Sequence, residues 1–280
     1  MSLPLAALAA ALVALTPVPR FADRLVYFPS RPHDGGTPAA LGLDYEDVVL
    51  RAADGTRLHA WWVPAPRAGR TVLLLHGNAG NISHRLDKLA VLHGLDVSVL
   101  LLDYRGYGRS EGAPSEAGTY QDAAAAYAWM RGRGLPAEAI VAYGESLGGP
   151  IAVDLAASQP LGGLILESAP SSIIGVARHH YPLLPVEWFL SVRYDALARL
   201  PGVRAPLLIL HSPSDEIVPF AMAEALYAAA PGSKRLVRLG GGHNDAFVVA
   251  ADAYRTALQD FLLRLPAPLT PAGAAPGARE

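Results

Sequence analysis

The sequence predicts an α/β fold, a mostly parallel sheet with helices on both faces and a small cap, and three observations predict it. A pair of alternating strands opens the patterned part of the chain. Short, wholly apolar runs then alternate with stretches of helical periodicity, as expected of parallel strands buried on both faces. One Gly-x-Ser-x-Gly, residues 144–148, stands directly between such a run and a helical stretch.

Taken in order, Tyr45–Ala52 and Leu58–Val63 read as antiparallel strands joined at Asp54-Gly55, a hairpin signal. Thr71–Leu75 and Val97–Asp103 are apolar runs of strand length, with a helix from about Ser83 between them. Ala117–Arg131 carries Tyr120, Ala123, Ala124, Tyr127 and Met130 at helical spacing, and Gly132 and Gly134 close it. Ile140–Tyr143 is the next strand, followed by a helix to about Ala157 and a strand at Leu161–Glu167. Pro206–His211 and Arg235–Leu239 complete the strands, with a helix around Met222–Ala230. The last helix spans Asn244 to Leu265, its stripe Phe247, Ala250, Tyr254, Leu258, Phe261 and Leu265, until Pro266 stops it.

Residues 170–204 break the alternation. They read as an irregular, partly helical cap over the sheet's C-terminal edge, where open α/β sheets bind ligands. Its Tyr181, Trp188 and Phe189 are candidate substrate-binding side chains. The chain thus divides into an apolar segment 1–20, one α/β domain 21–265 with the cap inserted, and a Pro/Ala-rich tail 266–280 expected to be disordered.

Composition excludes several classes. The 280 residues are 51% hydrophobic and 17% charged, ample for a core. A net charge of −2 lacks the basic face that nucleic-acid binding needs. The absence of cysteine excludes disulfides, thiolate metal sites and a cysteine nucleophile, and no zinc or haem spacing is present, so neither metal nor cofactor is expected. Leu3–Val18 carries no charge. We expect it to anchor the protein to a membrane, although it falls short of the ~20 residues of a full span. The alternative is a buried N-terminal helix. It lacks the basic start of a secretory signal, and Arg20, Arg24 and Arg31 after it favour a cytoplasmic body only weakly.

A serine on a sharp strand-to-helix turn needs glycine two places away on each side for room, and the helix N-terminus beside it offers free N–H groups to developing negative charge. Ser146 is therefore the candidate nucleophile, and it needs a base. His243, in a glycine loop before the last helix, is the candidate. The other eight histidines fit less well, His211 ending a strand and His76 belonging to the loop after Leu75. The orienting acid is read as Asp215, after Pro206–His211, with Glu216 and Glu167 as alternatives. Two donors must hold the oxyanion, worth about 3 kcal/mol each. The N–H of Leu147 is one, and the N–H of Asn78, in the loop after Leu75, is the other.

The runs HGNAGNISHR (76–85), DYRGYG (103–108) and GESLGG (144–149) together resemble the Bem46-like α/β-hydrolases, relatives of serine-aminopeptidase-like hydrolases and protein depalmitoylases. Leu25–Ser30 resembles that group's lead into the domain, and the likeness spans about residues 21–264. The order Ser146, Asp215, His243 is that of α/β-hydrolases. The resemblance implies the same triad and oxyanion donors. One departure is Ser212, where many relatives have glycine after the strand-end His211.

The leading expectation is an esterase or thioesterase acting on a small-molecule acyl substrate, a lipid or an acylated protein. A peptidase is the second reading; it would use cap carboxylates such as Glu187 and Asp195 to hold a substrate amine. A non-catalytic binding protein on a hydrolase scaffold is the third, and the retained triad speaks against it.

Overall fold

The computed structural model describes residues 21–267, so the apolar segment 3–18 and nearly all of the tail 266–280 lie outside the described residues. In chain order the strands are β1 (Phe28–Pro29), β2 (Glu46–Arg51), β3 (Arg57–Val63), β4 (Thr71–Leu75), β5 (Ala79–Gly80), β6 (Ser98–Asp103), β7 (Ile140–Glu145), β8 (Gly163–Glu167), β9 (Leu207–His211) and β10 (Lys234–Arg238). The helices are α1 (Leu86–His93), α2 (Glu116–Gly132), α3 (Gly148–Ser158), α4 (Ile173–His180), α5 (Ala196–Arg199), α6 (Phe220–Ala229), α7 (Ala246–Val249) and α8 (Ala251–Arg264).

Eight strands form one sheet in the order β10-β9-β8-β7-β4-β6-β3-β2. The β2–β3 and β3–β6 pairs are antiparallel and the others parallel. All eight expected strands are present, their ends within two residues of the sequence reading. The β2–β3 turn is the one Asp54-Gly55 announces: the Thr56 N–H donates to Asp54 Oδ1 at 3.1 Å, and Gly55 sits at φ 87°, where a side chain would be strained.

Alternation along the parallel strands feeds two cores. Leu73, Leu75 and Leu164 join one cluster with Ala126 of α2 and Ile151 of α3, while Val72, Leu74 and Ile165 join another with Leu89 of α1 and Leu258 of α8. Each face is thereby sealed by helices, which leaves the strands' C-terminal ends as the place for chemistry.

Two local readings are corrected, and a small second sheet is added. The single helix 244–265 is two, broken at Ala250 (φ −109°, ψ 36°). Val248 and Val249 are β-branched and exposed, so neither propensity nor packing holds the first turn in register, and the break sets Phe247 against Tyr254 with ring centroids 6.2 Å apart. The helix expected from Ser83 starts as a 3-10 turn, Ile82–His84, capped by the Asn81 side chain, before α1 begins. Strands β1 and β5, two residues each, pair in parallel as a small second sheet and are too short to show a period. That second sheet ties the N-terminal lead to the loop after β4: Phe28 N–H donates to Asn78 O and Ser30 N–H to Gly80 O, both at 3.0 Å. The cap region contains α4, a 3-10 turn at Val186–Trp188, α5 and a further 3-10 turn at Leu200–Gly202. Among the described residues no helix is long and apolar enough to cross a membrane.

Candidate active site

Ser146 stands at φ 49° between β7 and α3, a left-handed conformation that a serine adopts only when its surroundings impose it. Its N–H donates to Glu167 O and its O accepts from Gly149 N–H, both at 2.8 Å. The flanking glycines are required by contact: a Cβ on Gly144 would strike the Gly148 carbonyl, and one on Gly148 the Leu75 carbonyl of β4. The strained turn lifts the hydroxyl above the sheet, where Ser146 Oγ lies 3.0 Å from His243 Nε2.

His243 Nδ1 lies 2.8 Å from Asp215 Oδ2 and 3.0 Å from Oδ1. With Nδ1 protonated, Nε2 is left as the acceptor for the serine proton. Burial alone would raise the Asp215 carboxyl's pKa; hydrogen bonds from His211, His243 and the Val218 N–H overcome it and hold the carboxyl well below the usual carboxylate range. The N–H groups of Ile217 and Val218 reach Oδ1 at 2.9 and 2.7 Å. His211 is the partner that sequence reasoning missed: its Nε2 lies 2.8 Å from Val218 O and 3.3 Å from Asp215 Oδ2. Its place at a strand end looked structural, and only the turn back to residue 215 brings the two together.

The alternative acids are otherwise engaged. Glu216 Oε2 accepts the backbone N–H of His243 at 3.0 Å. Glu167 is buried beneath the elbow with Lys88 Nζ at 2.5 Å and with the hydroxyls of Tyr143 and Tyr254. Lys88 also reaches Glu145 at 3.2 Å. Burial works against the lysine's charge, and the two glutamates outweigh it, raising its pKa. Arg85 ties the elbow to the loop after β4, its Nε donating to Glu145 at 3.1 Å and its Nη2 to Ala79 O at 2.9 Å. Ser212 donates its hydroxyl to Gly241 O and accepts from Ser214 N–H, so it braces the turn that carries Asp215 against the loop that carries His243.

A cavity of about 400 Å³ opens on Ser146 and His243, bordered by Asn78, Leu147, Ile173 and Val176. Among the described residues the N–H groups of Asn78 and Leu147 make no hydrogen bond, whereas the Asn78 side chain donates to Val26 O at 3.0 Å and does not cap the following turn. Through Val26, Asn78, Ile173 and Val176 the cavity continues into an apolar groove of about 620 Å³. Of the three cap aromatics expected at the site, Tyr181 and Phe189 line this groove; Trp188 does not, and points to solvent with 76% of its surface exposed. The cap has no periodicity from which its inner side could be read.

A second cluster lies apart from this cavity. His33, His59 and Asp103 bring three atoms of metal-ligand type near one another. His33 Nε2 lies 2.6 Å from Asp103 Oδ2, and His59 Nε2 is 2.5 Å from Asp47.

Comparison with known proteins agrees with this fold. A family profile described as alpha/beta hydrolase fold matches residues 70–202. An uncharacterized protein of Mycobacterium tuberculosis is 42% identical over 245 residues, covering 85% of this chain and 86% of its own. WAV2 of Arabidopsis thaliana, an alpha/beta hydrolase domain-containing protein, is 36% identical over 270 residues, covering 85% and 87%. Among solved structures, an esterase from Pyrococcus furiosus superposes with a TM-score of 0.72 at 20% identity, over 86% of this chain and 98% of that one. An alpha-beta hydrolase from Vibrio vulnificus gives 0.70 at 23%, over 87% and 94%. The chain belongs to the α/β-hydrolase family.

Proposed function

We propose that the protein is a serine hydrolase that cleaves carboxylic esters or thioesters through an acyl-enzyme intermediate, of the Bem46-like kind within its family. The observation that carries this reading is the hydrogen-bonded chain from Ser146 through His243 to Asp215 at the floor of a cavity whose wall offers two free N–H groups. Ser146 Oγ attacks the acyl carbon as His243 Nε2 takes its proton, and Asp215 stabilises the imidazolium that forms. The N–H groups of Leu147 and Asn78 receive the oxyanion. Collapse expels the alcohol or thiol, protonated by His243. A water activated by the same imidazole then releases the acid and restores the serine.

The apolar groove beside the cavity favours an acyl substrate over a peptide, because each buried methylene adds about 0.8 kcal/mol. The carboxylates a peptidase would offer a substrate amine are engaged: Glu187 pairs with Arg178, and Asp195 caps α5 through the Ala198 N–H at 3.0 Å. The test is labelling by a fluorophosphonate, followed by kcat/KM for C2 to C16 p-nitrophenyl esters and thioesters beside alanine p-nitroanilide. Labelling lost in Ser146→Ala and a rise with acyl length support the reading. Anilide cleavage equal to the best ester would replace it with a peptidase. Membrane anchoring through Leu3–Val18 is part of the proposal, and its check is whether deleting residues 1–20 moves the protein from the membrane fraction to the soluble one with activity intact.

A further inference from the structure

The outer side of the cap carries a concentration of exposed apolar side chains that the catalytic reading does not use. Leu183 is 94% exposed and Trp188 76%. Both lie between or beside Tyr181, Leu184, Val186 and Phe189 in the chain, which line the groove, while their own side chains face outward from it. Leu25, which lines the groove from the N-terminal lead, is 63% exposed, and Phe28, at the edge of the cavity beside Ser146, is 56% exposed. Exposed apolar residues elsewhere are single ones such as Val49 and Leu263, or the pair Val248 and Val249, as on any soluble surface. Five exposed apolar side chains within residues 181–189, beside an apolar groove, are different and mark a contact surface.

The chain's own course says what covers it. The 3-10 turn Phe21–Val26 forms one wall of the groove through Leu25 and Val26, and it is fastened to the cap by Asp23, whose carboxylate accepts the Ser191 N–H at 2.7 Å. In the sequence the uncharged run Leu3–Val18 ends two residues, Pro19 and Arg20, before this turn begins at Phe21. Tryptophan and tyrosine beside aliphatic side chains, with Arg178, His179 and His180 next to them in the chain, suit the boundary between water and hydrocarbon.

We propose that this surface, centred on Leu183 and Trp188, docks on a lipid bilayer and opens the groove toward the hydrocarbon, so that an acyl chain passes from the membrane to Ser146. The docking itself does not depend on the hydrolase reading; the delivery of substrate rests on it.

Trp188 supplies the probe. The full chain has four tryptophans; Trp61 is buried, and Trp62 and Trp129 are part-buried and pack together away from the cap. The full-length protein is mixed with phosphatidylcholine vesicles, plain or carrying brominated acyl chains, and emission is compared with that of Trp188→Phe. Docking requires that the emission lost in Trp188→Phe be the emission that bromine quenches. Leu183→Asp should lower that quenching about fivefold, by placing a charge at the contact, while hydrolysis of a soluble acetate ester is unchanged. Failure to bind vesicles overturns the proposal. So does binding with Trp188 unquenched, the result expected if residues 3–18 alone hold the protein, if they fold over the groove, or if a second copy covers the surface. Quenching without hydrolysis of esters in the vesicle would leave the docking standing and remove the hydrolase reading.

Discussion

Two buried aspartates sit at or just beyond the C-terminal ends of sheet strands, each among histidines, and they do different things. Asp215 follows β9 and meets His243 and His211. Asp103 ends β6 and meets His33 at 2.6 Å, with His59 Nδ1 at 3.7 Å and His76 Nε2 at 3.9 Å. Both carboxyls are held well below the usual range: burial opposes this in each, and histidine and backbone donors win. By electrostatics alone the two could not be told apart. What separates them is the next contact. His243 passes on to Ser146 Oγ over a cavity, whereas His59 passes on to Asp47 and His33 reaches no nucleophile. A perturbed carboxylate points to a site only when its partner touches a group that can react.

The largest test of that distinction is activity. Ser146→Ala and His243→Ala should each lower kcat/KM by about 10⁴ or more, since the residues act as a unit. Asp215→Asn should cost a similar factor through the wrong histidine tautomer. Asp103→Asn should leave kcat/KM of the folded protein within about tenfold. Equal losses for the two asparagine variants, measured on one soluble ester with the fraction folded checked by circular dichroism, would erase the comparison.

Stability tests what the Asp103 cluster does instead. Asp103 accepts the Ile82 N–H at 3.0 Å as well as its histidine partner, and its side chain is wholly buried. Asp103→Ala leaves these donors unpaired and should cost about 3–5 kcal/mol by urea unfolding. A loss below about 1 kcal/mol would mean that the cluster is dispensable to the fold.

The same cluster sets a pH dependence. His76 is buried, and burial and the nearby Arg85 push its pKa down to about 4 against the partial opposition of Asp103. The unfolded chain therefore binds a proton at His76 between about pH 6.5 and 4 that the folded one refuses. That contribution is fully present above about 6.5 and is lost as pH falls to about 4, an effect of about 3 kcal/mol. Asp103 and Asp215, both lowered, add stability above about pH 4 that is lost only below it. Unfolding free energies at pH 7, 5.5 and 4 check the upper window, and His76→Asn should flatten it. An unchanged slope in that variant would assign the window to another group.

How much of this was legible in the sequence follows from the distances involved. The strands could be read because each core face repeats every second residue, and Ser146, Asp215 and His243 because each stands at a defined point relative to a strand or a helix. The Asp103 cluster could not, because the sheet order alone brings His59 of β3 and His76 after β4 beside β6, and His33 reaches it from an irregular loop with no pattern to read. The outward course of Trp188 is unreadable for a related reason: in an irregular segment, nothing local tells the inward side from the outward one.

The smallest effect tests the finest distinction, that between neighbours Asp215 and Glu216, which sequence alone left open. Both are carboxylates on the turn after β9, and both touch His243. Asp215 takes the ring Nδ1; Glu216 takes the backbone N–H at 3.0 Å. An amide oxygen can accept that N–H as well as a carboxylate can, but a neutral amide at 215 cannot hold the imidazolium. Glu216→Gln should therefore change kcat/KM by no more than about threefold, less than 1 kcal/mol of transition-state stabilisation. Glu216→Ala removes the acceptor and should cost somewhat more, about tenfold at most, by loosening the glycine loop that carries His243. If Glu216→Gln instead falls by three orders of magnitude while Asp215→Asn stays active, the acid of the relay is Glu216, and the orientation of the His243 ring must differ from the one described.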